Sequence, residues 1–480
     1  MTTNHLPVVE PKPLPTTIYP SLLVARVFPL SPYDFVTRFL SFLSALALGA
    51  CATSPLLAPA SISDQPIDPA LAVATFDSAW STINRTYYDS AFRGIDWSWA
   101  RAELRPRAAA SRTVGELRAT IRSMLGRMGE SHFGLIPAEI ATMAAEDDDS
   151  DSEGGGDVGI EVRVVDGAPL VWRIDSAGPA FAAGVRTGWI VSGADGFSAA
   201  PALAAAMALP DPRARNEAFR LAGARLRGRF DGDSGSVVAA SFVDGSGGAR
   251  HLRITRRREP GEIARFGNLP PLNVLLTHSR IAATPGCVGY VSFNIWLTPI
   301  SPAFDRAMQA LSDCRGVVLD LRGNPGGIAG LSMGVAGYFV DSVVPLGILR
   351  TRSNDLRLVT NPRRVSLTGA PMRIYEGTVA ILVDGESVST SEIFAAGMQY
   401  LRRARVFGDT TSGQALPALT RRLPNGDVLM HVFSDYTLPD GTRLEARGVI
   451  PDVVQSVTRA DLLAGRDAAL LAAVRWIREQ

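Results

Sequence analysis

Two short polar segments contain the residue types that nucleophilic catalysis needs, and each follows an apolar run typical of a buried strand. The first, residues 320–327, reads Asp-Leu-Arg-Gly-Asn-Pro-Gly-Gly, and its glycines let backbone N–H groups point at a developing oxyanion. The second, residues 387–395, places Ser389 at the start of a predicted helix, where the helix dipole is positive. Together the two segments indicate acyl transfer by a serine.

Local sequence leaves a structural interpretation of both segments open. Ser389 and Glu392 have capping-box spacing, so Ser389 could serve only to cap its helix. Residues 320–327 could likewise form no more than a tight turn between a strand and a helix. A catalytic interpretation therefore depends on finding a base.

A serine hydroxyl is a weak nucleophile unless a base removes its proton. The only lysine of the chain is Lys12, so no lysine near either segment can do so. Histidine has a pKa near neutrality, and the chain after residue 51 contains four histidines: His132, His251, His278 and His431. His132, next to Ser131 at the end of a predicted helix, and His431, in a strand-like run, are candidate bases, although a lone histidine in an apolar neighbourhood is usually structural. A structural role is expected of His251.

Composition and spacing also indicate which ligands to expect. The histidines form no His-x-x-x-His pair and three cysteines are too few for a four-cysteine zinc site, so we expect neither a metal nor a nucleotide cofactor. Cys287 and Cys314 precede two strand-like runs that could lie side by side, which allows a disulfide without establishing one. A net charge of +1 gives no reason to expect a nucleic-acid partner.

The pattern of apolar residues divides the chain into several parts. Helical periodicity in residues 69–128 predicts an N-terminal helical domain over residues 69–145, and the capping-box spacing of Thr113 and Glu116 predicts the start of one of its helices. An acidic, glycine-rich linker follows at residues 146–156. Short strands and turns fill residues 157–258. From residue 259 to 480 apolar strands alternate with helices, which favours an α/β core with parallel strands covered on both faces.

Residues 178–188 (Gly-Pro-Ala-Phe-Ala-Ala-Gly-Val-Arg-Thr-Gly) resemble part of a PDZ domain. PDZ domains bind the C-terminal tail of a partner by strand addition, and a loop of backbone N–H groups holds its carboxylate. The resemblance implies a PDZ-like domain over residues 157–258 with that loop near residues 156–159. A small β-rich domain without a peptide-binding role remains the alternative.

The two polar segments, in this order, resemble the D-L-R-x-N-x-G-G and S-x-S-E motifs of the tail-specific, or C-terminal processing, peptidase family. The resemblance implies an α/β fold with a ClpP/crotonase-like βα spiral as catalytic core, preceded by a helical bundle and the PDZ-like domain. It implies that Ser389 is the nucleophile. It also implies that Gly326 or Gly327, with the N–H of Thr390, forms the oxyanion hole.

The sequence departs from the branch of this family that uses a Ser-Lys dyad, because Gln414 stands where that branch has its lysine. Residues 131–132 and 445–452 resemble segments of the tricorn-like branch, which uses a Ser-His-Ser-Glu tetrad. This resemblance implies that His132 is general base and then general acid. Ser131 and Glu445 would orient and polarise it.

The N-terminus resembles a bacterial lipoprotein signal. Residues 39–50 form an apolar run behind Arg38 that ends at Cys51 in a lipobox-like sequence, which predicts a signal peptide over residues 1–51 and a tether over residues 52–68. A buried apolar helix with an incidental cysteine is the alternative. Polar, proline-rich residues precede the run, so we expect translation to start later than residue 1, for example at Val36.

These observations predict a lipid-anchored serine endopeptidase on the periplasmic side of a bacterial cell envelope, acting on proteins or peptides. The PDZ-like domain would deliver the C-terminal tail of a substrate or gate the site. A non-catalytic ligand- or peptide-binding lipoprotein on the same fold is the main alternative. A structural envelope lipoprotein, in which Ser389 only caps its helix, is a further one.

Overall fold

The computed structural model describes residues 62–142, 155–269, 271–283 and 286–480, which lie in one compact unit spanning residues 59–480. The predicted signal peptide with Cys51, the tether up to residue 61 and most of the acidic linker lie outside the described residues. In the described part of the chain, no helix combines the length and hydrophobicity needed to cross a membrane.

The first described part is mainly helical. Thr113 begins the third helix by accepting the amide proton of Glu116 over 3.2 Å, as its capping spacing predicts. Phe76, Ile83 and Tyr87, at helical spacing, are fully buried. The elements of this part are α1 (Pro69–Thr86), α2 (Trp97–Ala109), α3 (Val114–Gly126), β1 (Gly134–Ile136) and α4 (Ala138–Thr142), with short 3-10 helices at Ile62–Asp64 and Phe92–Gly94.

The second part contains a five-stranded antiparallel sheet. Its strands are β3 (Ile160–Val165), β4 (Ala168–Ile174), β5 (Ile190–Ala194), β6 (Val237–Val243) and β7 (Ala249–Thr255), after β2 (Gly156–Asp157) and before β8 (Arg257–Arg258), which pair with each other. Its helices are α5 (Pro179–Ala182), α6 (Ala200–Met207) and α7 (Pro212–Arg227). The strands are ordered β3-β4-β5-β6-β7, so β3 is an edge strand, and α7 packs beside it.

The third part alternates strands and helices. Its first elements are β9 (Glu262–Ala264), β10 (Leu272–Val274), β11 (Leu276–Ala282), β12 (Cys287–Phe293), α8 (Ile300–Ala310), β13 (Gly316–Asp320) and α9 (Ala329–Ala336). The later strands are β14 (Pro345–Thr351), β15 (Asp355–Val359), β16 (Thr378–Val383), β17 (Arg405–Gly408), β18 (Ala418–Arg422), β19 (Val428–Val432), β20 (Ser434–Thr437) and β21 (Val453–Val454). The later helices are α10 (Thr390–Tyr400), α11 (Arg459–Leu463) and α12 (Ala468–Glu479).

A six-stranded sheet in the order β11-β12-β13-β16-β17-β21 forms the core. All neighbours from β12 to β21 are parallel, as the continuous apolar runs predict, and β11 adds an antiparallel edge. Side chains on one face pack against Phe304 of α8 and Phe394 of α10. Those on the other face pack against α12 and against Trp172 of β4. The predicted α/β class is confirmed.

The helical part is joined to the core by a strand that the helical periodicity did not predict. β1 pairs antiparallel with β19, Gly134 opposite Met430 and Ile136 opposite Val428, and β18 completes a three-stranded sheet. Because β1 begins two residues after His132, this pairing fixes the chain around His132 against the core.

Candidate active site

Ser389 lies at the junction of β16 and α10 in a backbone conformation that few residues other than glycine adopt. Its φ is +57° and its ψ is −117°. Such a conformation costs about 1–3 kcal/mol and persists only where the surroundings hold it. The Ser389 amide donates to the carbonyl oxygen of Gln414 over 2.9 Å and to Oε2 of Glu392 over 3.1 Å. These contacts hold a partly exposed serine in a defined position.

The glycine turn after β13 packs directly against Ser389. A Cβ atom at Gly326, where φ is +93°, would lie 2.6 Å from the Cβ of Ser389 and 2.9 Å from the amide nitrogen of Thr390. A Cβ atom at Gly327 would overlap the carbonyl oxygen of Trp296. The Thr390 hydroxyl donates to the carbonyl oxygen of Gly327 over 2.9 Å. The structure therefore brings the predicted nucleophile and the predicted oxyanion-hole residues together.

Ser131, His132 and Glu445 form a chain of hydrogen bonds, although they come from distant parts of the sequence. The Ser131 hydroxyl donates to Oε2 of Glu445 over 2.8 Å and lies 2.8 Å from Nδ1 of His132. The Ser131 amide donates to Oε1 of the same carboxylate over 3.0 Å. His132 itself has a φ of +60°. It lies in a turn six residues beyond the last residue of α3, Gly126, and not at the end of a helix as predicted.

These hydrogen bonds determine which nitrogen of the His132 imidazole carries the proton. A serine hydroxyl has one hydrogen, and that of Ser131 is donated to the Glu445 carboxylate. The contact between Ser131 and His132 therefore requires a proton on Nδ1, which donates to the Ser131 oxygen. Nε2 is then unprotonated, and a lone pair on Nε2 is what a general base must offer.

A single loop, residues 413–415, contacts both Ser389 and Glu445, the glutamate that binds Ser131. The Gln414 carbonyl binds the Ser389 amide, and the next amide, that of Ala415, donates to Oε2 of Glu445 over 3.1 Å. The carbonyl oxygen of Gly413 accepts the amide proton of Ala446 over 2.8 Å. Adjacent residues of one loop thus bind both Ser389 and the buried Glu445.

The surroundings of His132 keep its ring neutral. Burial, and then the positive charge of Arg220, lower the pKa of His132 to about 4, while the negative charge of Glu217 acts in the opposite direction. Both charged residues belong to α7, which comes from the β3–β7 part of the chain. At pH 7 the imidazole is uncharged and able to accept a proton.

Gln414 directs its side chain towards α7. Its Nε2 donates to Oε2 of Glu217 over 2.8 Å, and Arg220 binds both oxygens of Glu217. A cavity of about 220 Å³ lies here, lined by Glu217, Arg220, Ser412, Gln414 and Arg447 among others. The side chain of Gln414, which the resemblance places at the lysine position of the dyad-using branch, therefore contacts another part of the molecule.

Glu392 is buried and joins Ser389 to the same loop. Its Oε1 accepts hydrogen bonds from the Thr411 hydroxyl over 2.6 Å and the Gly413 amide over 2.7 Å, and its Oε2 accepts from the Gln414 amide over 2.9 Å. Burial raises the pKa of Glu392 to about 7, and the hydrogen bonds oppose that increase. The capping-box spacing predicted the contact with Ser389, but not the three contacts that fix the loop.

The other histidines lie in different surroundings. His431, the second candidate base, is buried on β19 with its Nδ1 3.0 Å from the hydroxyl of Thr86. His251 is exposed on β7, 2.9 Å from the hydroxyl of Ser241, and His278 is exposed on β11. These contacts connect neither His431 nor His251 to the chain of Ser131 and Glu445.

Cys287 and Cys314 form the disulfide that the sequence allowed. Within the described ranges, the one close group of three metal-ligand residues consists of these cysteines and Asp313, and the disulfide occupies both sulfur atoms. This group therefore fits a metal poorly.

Sequence reasoning did not find Glu217 and Arg220. Both lie on a helix of the β3–β7 part, and nothing in their spacing connects them with Ser389 or His132. Only the docking of α7 places them beside the imidazole.

An α/β core with a serine at a strand-to-helix junction beside a glycine turn defines the class of the protein, a serine-type peptidase. A family model described as Peptidase family S41 matches residues 287–455, and one described as Tricorn protease C1 domain matches residues 74–126. Residues 287–455 are therefore similar to peptidase family S41, and the predicted resemblance to C-terminal processing peptidases is confirmed.

Two proteins of similar sequence are named as peptidases. "Carboxyl-terminal-processing peptidase 2, chloroplastic" of Arabidopsis thaliana is 25% identical over 389 residues, which are 78% of this chain and 67% of that protein. "Probable CtpA-like serine protease" of Staphylococcus haemolyticus is 31% identical over 141 residues, 29% of this chain. The match spans only 27% of the length of the staphylococcal protein.

Two solved structures share the fold. The photosystem II D1 C-terminal processing protease superposes with a TM-score of 0.54 at 21% identity, over 85% of this chain and 97% of that chain. Mature CPAF superposes with a TM-score of 0.54 at 12% identity, over 85% and 97% of the two chains. At these identities the similarity concerns the fold alone.

Proposed function

We propose that the protein is an endopeptidase that cleaves proteins or peptides through Ser389, with His132 as general base and then general acid. The observation that carries the proposal is the continuous path of contacts from Glu445 through Ser131 to His132, joined to Ser389 by residues 413–415. A residue that only capped its helix would need no such path.

In the first step, Nε2 of His132 takes the hydroxyl proton of Ser389 while the serine oxygen bonds to the scissile carbonyl carbon. The carbonyl π electrons move onto oxygen and give a tetrahedral oxyanion. Ser131 holds Nδ1 in place, and the charge of Glu445 stabilises the imidazolium through it. His132 then gives its proton to the leaving amine nitrogen as the C–N bond breaks. Water attacks the resulting acyl-enzyme by the same steps.

Backbone N–H groups would stabilise the oxyanion. We assign this role to the amides of Gly327 and Thr390. Thr390 follows Ser389 at the N-terminus of α10, and its hydroxyl donates to the carbonyl oxygen of Gly327 over 2.9 Å. The amide of Gly326 is the weaker candidate, since it donates to Oδ1 of Asn324 over 3.0 Å. One such donor contributes about 3–4 kcal/mol to transition-state stabilisation in other serine peptidases.

The substrate would be the C-terminal region of a protein, as the name of the Arabidopsis relative suggests. Supporting this, β3 is an edge strand with α7 beside it, an arrangement that suits addition of a peptide strand. Nη1 of Arg227 donates to the carbonyl oxygen of Val162 on β3 over 2.8 Å. An incoming tail would therefore displace Arg227. Since α7 also binds Gln414, tail binding could deliver substrate or open the site.

We further propose that the enzyme is lipid-anchored through Cys51 on the periplasmic side of a bacterial cell envelope. The disulfide between Cys287 and Cys314 supports an oxidising compartment, because structural disulfides are rare where thiols are kept reduced.

Peptide hydrolysis by purified full-length protein tests the proposal. Casein and a set of peptides with free carboxyl termini are incubated with wild type, Ser389→Ala and His132→Ala, and the products are measured by mass spectrometry. His251→Ala is a matched control, because His251 contacts a serine as His132 does but lies outside the site. We expect cleavage by wild type and His251→Ala, and none by the other two. Cleavage that survives in Ser389→Ala would overturn the assignment of the nucleophile.

A further inference from the structure

A second link joins the two chain segments that contain three members of the proposed tetrad, Ser131 and His132 on one and Glu445 on the other. Glu130 directly precedes Ser131, and Arg443 lies two residues before Glu445. Nη2 of Arg443 binds Oε1 of Glu130 over 2.7 Å, and its Nε binds Asp435 over 2.9 Å. The side chain of Glu130 is only 6% exposed and that of Arg443 is 25% exposed. The ion pair is therefore largely shielded from water and weakly screened by salt.

The carboxylate of Glu130 is held from the helical part as well. The hydroxyl of Tyr87 donates to its Oε2 over 2.5 Å, and that of Tyr88 donates to its Oε1 over 3.2 Å. Arg93 approaches the same carboxylate at 3.4 Å. Donors from residues 87–93 thus fix Glu130 on one side, and Arg443 connects it to the core on the other.

The backbone around these residues needs such support. Both Gly129 and His132 have positive φ, +62° and +60°, and Ala446 on the other segment has a φ of +66°. For His132 and Ala446 these conformations are less favourable than helical or extended ones. The hydrogen bonds between Ser131 and Glu445 help to hold the backbone in these unfavourable conformations. The ion pair between Glu130 and Arg443 does the same at the adjacent residue.

We propose that Glu130 and Arg443 are positioning residues, which hold Ser131 and His132 in register with Glu445 without touching the substrate. The proposal rests on the proposed function for its catalytic consequence, but its structural content, the placement of the His132 ring, is independent of activity. An error of about 1 Å in such a placement can reduce turnover on the order of 100-fold.

The test compares Arg443→Met with a matched control, Arg118→Met. Arg118 is also a shielded arginine between two carboxylates, since it binds Glu139 and Asp427 at 2.6 Å each. Both substitutions remove a charge and keep an apolar stem of similar length, and both should lower the melting temperature. Arg443→Lys, which retains the charge, and Glu130→Gln, which can still accept from Tyr87, complete the set.

In the folded fraction we expect kcat to fall about 10- to 100-fold in Arg443→Met and Glu130→Gln, with KM within about twofold. Arg443→Lys should recover part of kcat, and Arg118→Met should retain kcat. If Arg118→Met and Arg443→Met lose kcat equally, or if Arg443→Met keeps it, the positioning role is wrong.

A second measurement separates this inference from the proposed function. Histidines labelled with ¹³C at Cε1 are few enough for the His132 signal to be assigned through His132→Ala. The signal should shift, and its titration midpoint should change, in Arg443→Met but not in Arg118→Met. An unchanged His132 signal in Arg443→Met overturns the inference even if the enzyme proves inactive on every substrate. If the wild type proves inactive but the His132 signal still changes in Arg443→Met, the inference is supported and only the proposed function is contradicted.

Discussion

The carbonyl oxygen of Gln414 accepts the amide proton of Ser389 over 2.9 Å, while the side chain of Gln414 points to Glu217. The sequence resemblance predicts that Gln414 stands at the lysine position of the dyad-using branch, yet its contact with Ser389 is made by its backbone. The residue type at this position is therefore not needed to hold Ser389. The backbone of residue 414 could therefore support catalysis by holding Ser389, whereas its side chain could do so only through Glu217.

Replacing Gln414 by alanine tests that separation. The variant Gln414→Ala keeps the carbonyl that binds Ser389 and the amide that binds Glu392, and loses only the hydrogen bond to Glu217. We expect the rate of labelling by a fluorophosphonate to stay within about threefold of wild type, since the side chain of Gln414 contacts Glu217 and only its backbone contacts Ser389. A loss of 100-fold or more would show that the side chain has a chemical role.

The pH dependence of labelling should reflect His132. Burial and Arg220 lower the pKa of His132 to about 4 from an ordinary value of 6.5, so the ring remains neutral well below pH 6.5. Removing the positive charge in Arg220→Gln favours the imidazolium and raises this pKa, which moves the acidic limb of the profile to higher pH. Labelling rates across the pH range measure the limb in both proteins. A limb near 6.5 that persists when Glu392 is replaced by glutamine, and that does not move in Arg220→Gln, contradicts this description of the ring.

Protonation of Glu392 should give a second limb in the pH profile of labelling, which can be distinguished from the limb caused by His132. Burial raises the pKa of Glu392 to about 7, and its protonation would weaken the hold on Ser389 and the 411–414 loop. A loss of rate between about pH 7 and 6 is therefore expected to disappear in Glu392→Gln, which cannot titrate. If such a limb persists in Glu392→Gln, another group causes it.

Gly326→Ala should inactivate the protein. The new Cβ would lie 2.6 Å from the Cβ of Ser389, and the φ of +93° is unfavourable for alanine. We expect labelling to fall by about 100-fold or more and stability to fall by about 1–3 kcal/mol. Gly330→Ala is the control, since no atom lies within 4 Å of the position that its new methyl group would occupy on α9. Urea denaturation and labelling should show no loss in the control, and full labelling of Gly326→Ala would count against the packing of the turn on Ser389.

Removing the disulfide should destabilise the core without abolishing activity. Cys287 at the start of β12 and Cys314 before β13 are 27 residues apart. Closing a loop of this size in the unfolded chain stabilises a protein by about 3–4 kcal/mol in the chain-entropy treatment. The double variant Cys287→Ser with Cys314→Ser, compared with oxidised wild type by urea denaturation, should lose about this much. Equal denaturation midpoints would mean that the bond contributes little.

The sequence predicted those features that depend on local pattern. The apolar runs at β12, β13 and β16 predicted parallel strands, because a strand covered on both faces must be apolar throughout. The capping spacing at Thr113 predicted the start of α3. The motif resemblance predicted the residues that meet at Ser389 and at His132, and their catalytic roles stay predictions until tested.

Features that depend on docking could not be predicted in this way. Glu217 and Arg220 approach His132 only because α7 lies against the core, and Glu130 meets Arg443 only through the pairing of β1 with β19. The periodicity of residues 69–128 indicated helices and gave no sign of β1, a strand of three residues. Contacts between elements far apart in sequence have no local signature, so a single sequence does not reveal them.

The most direct test of the central claim is the site and rate of fluorophosphonate labelling near pH 8. Peptide mapping by mass spectrometry locates the adduct, and the second-order rate is compared among wild type, His132→Ala and His251→Ala. We expect a single adduct on Ser389, a rate reduced by about 1,000-fold or more in His132→Ala, and an unchanged rate in His251→Ala. An adduct elsewhere, or a His132→Ala variant that labels as fast as wild type, would contradict the proposed roles of Ser389 and His132.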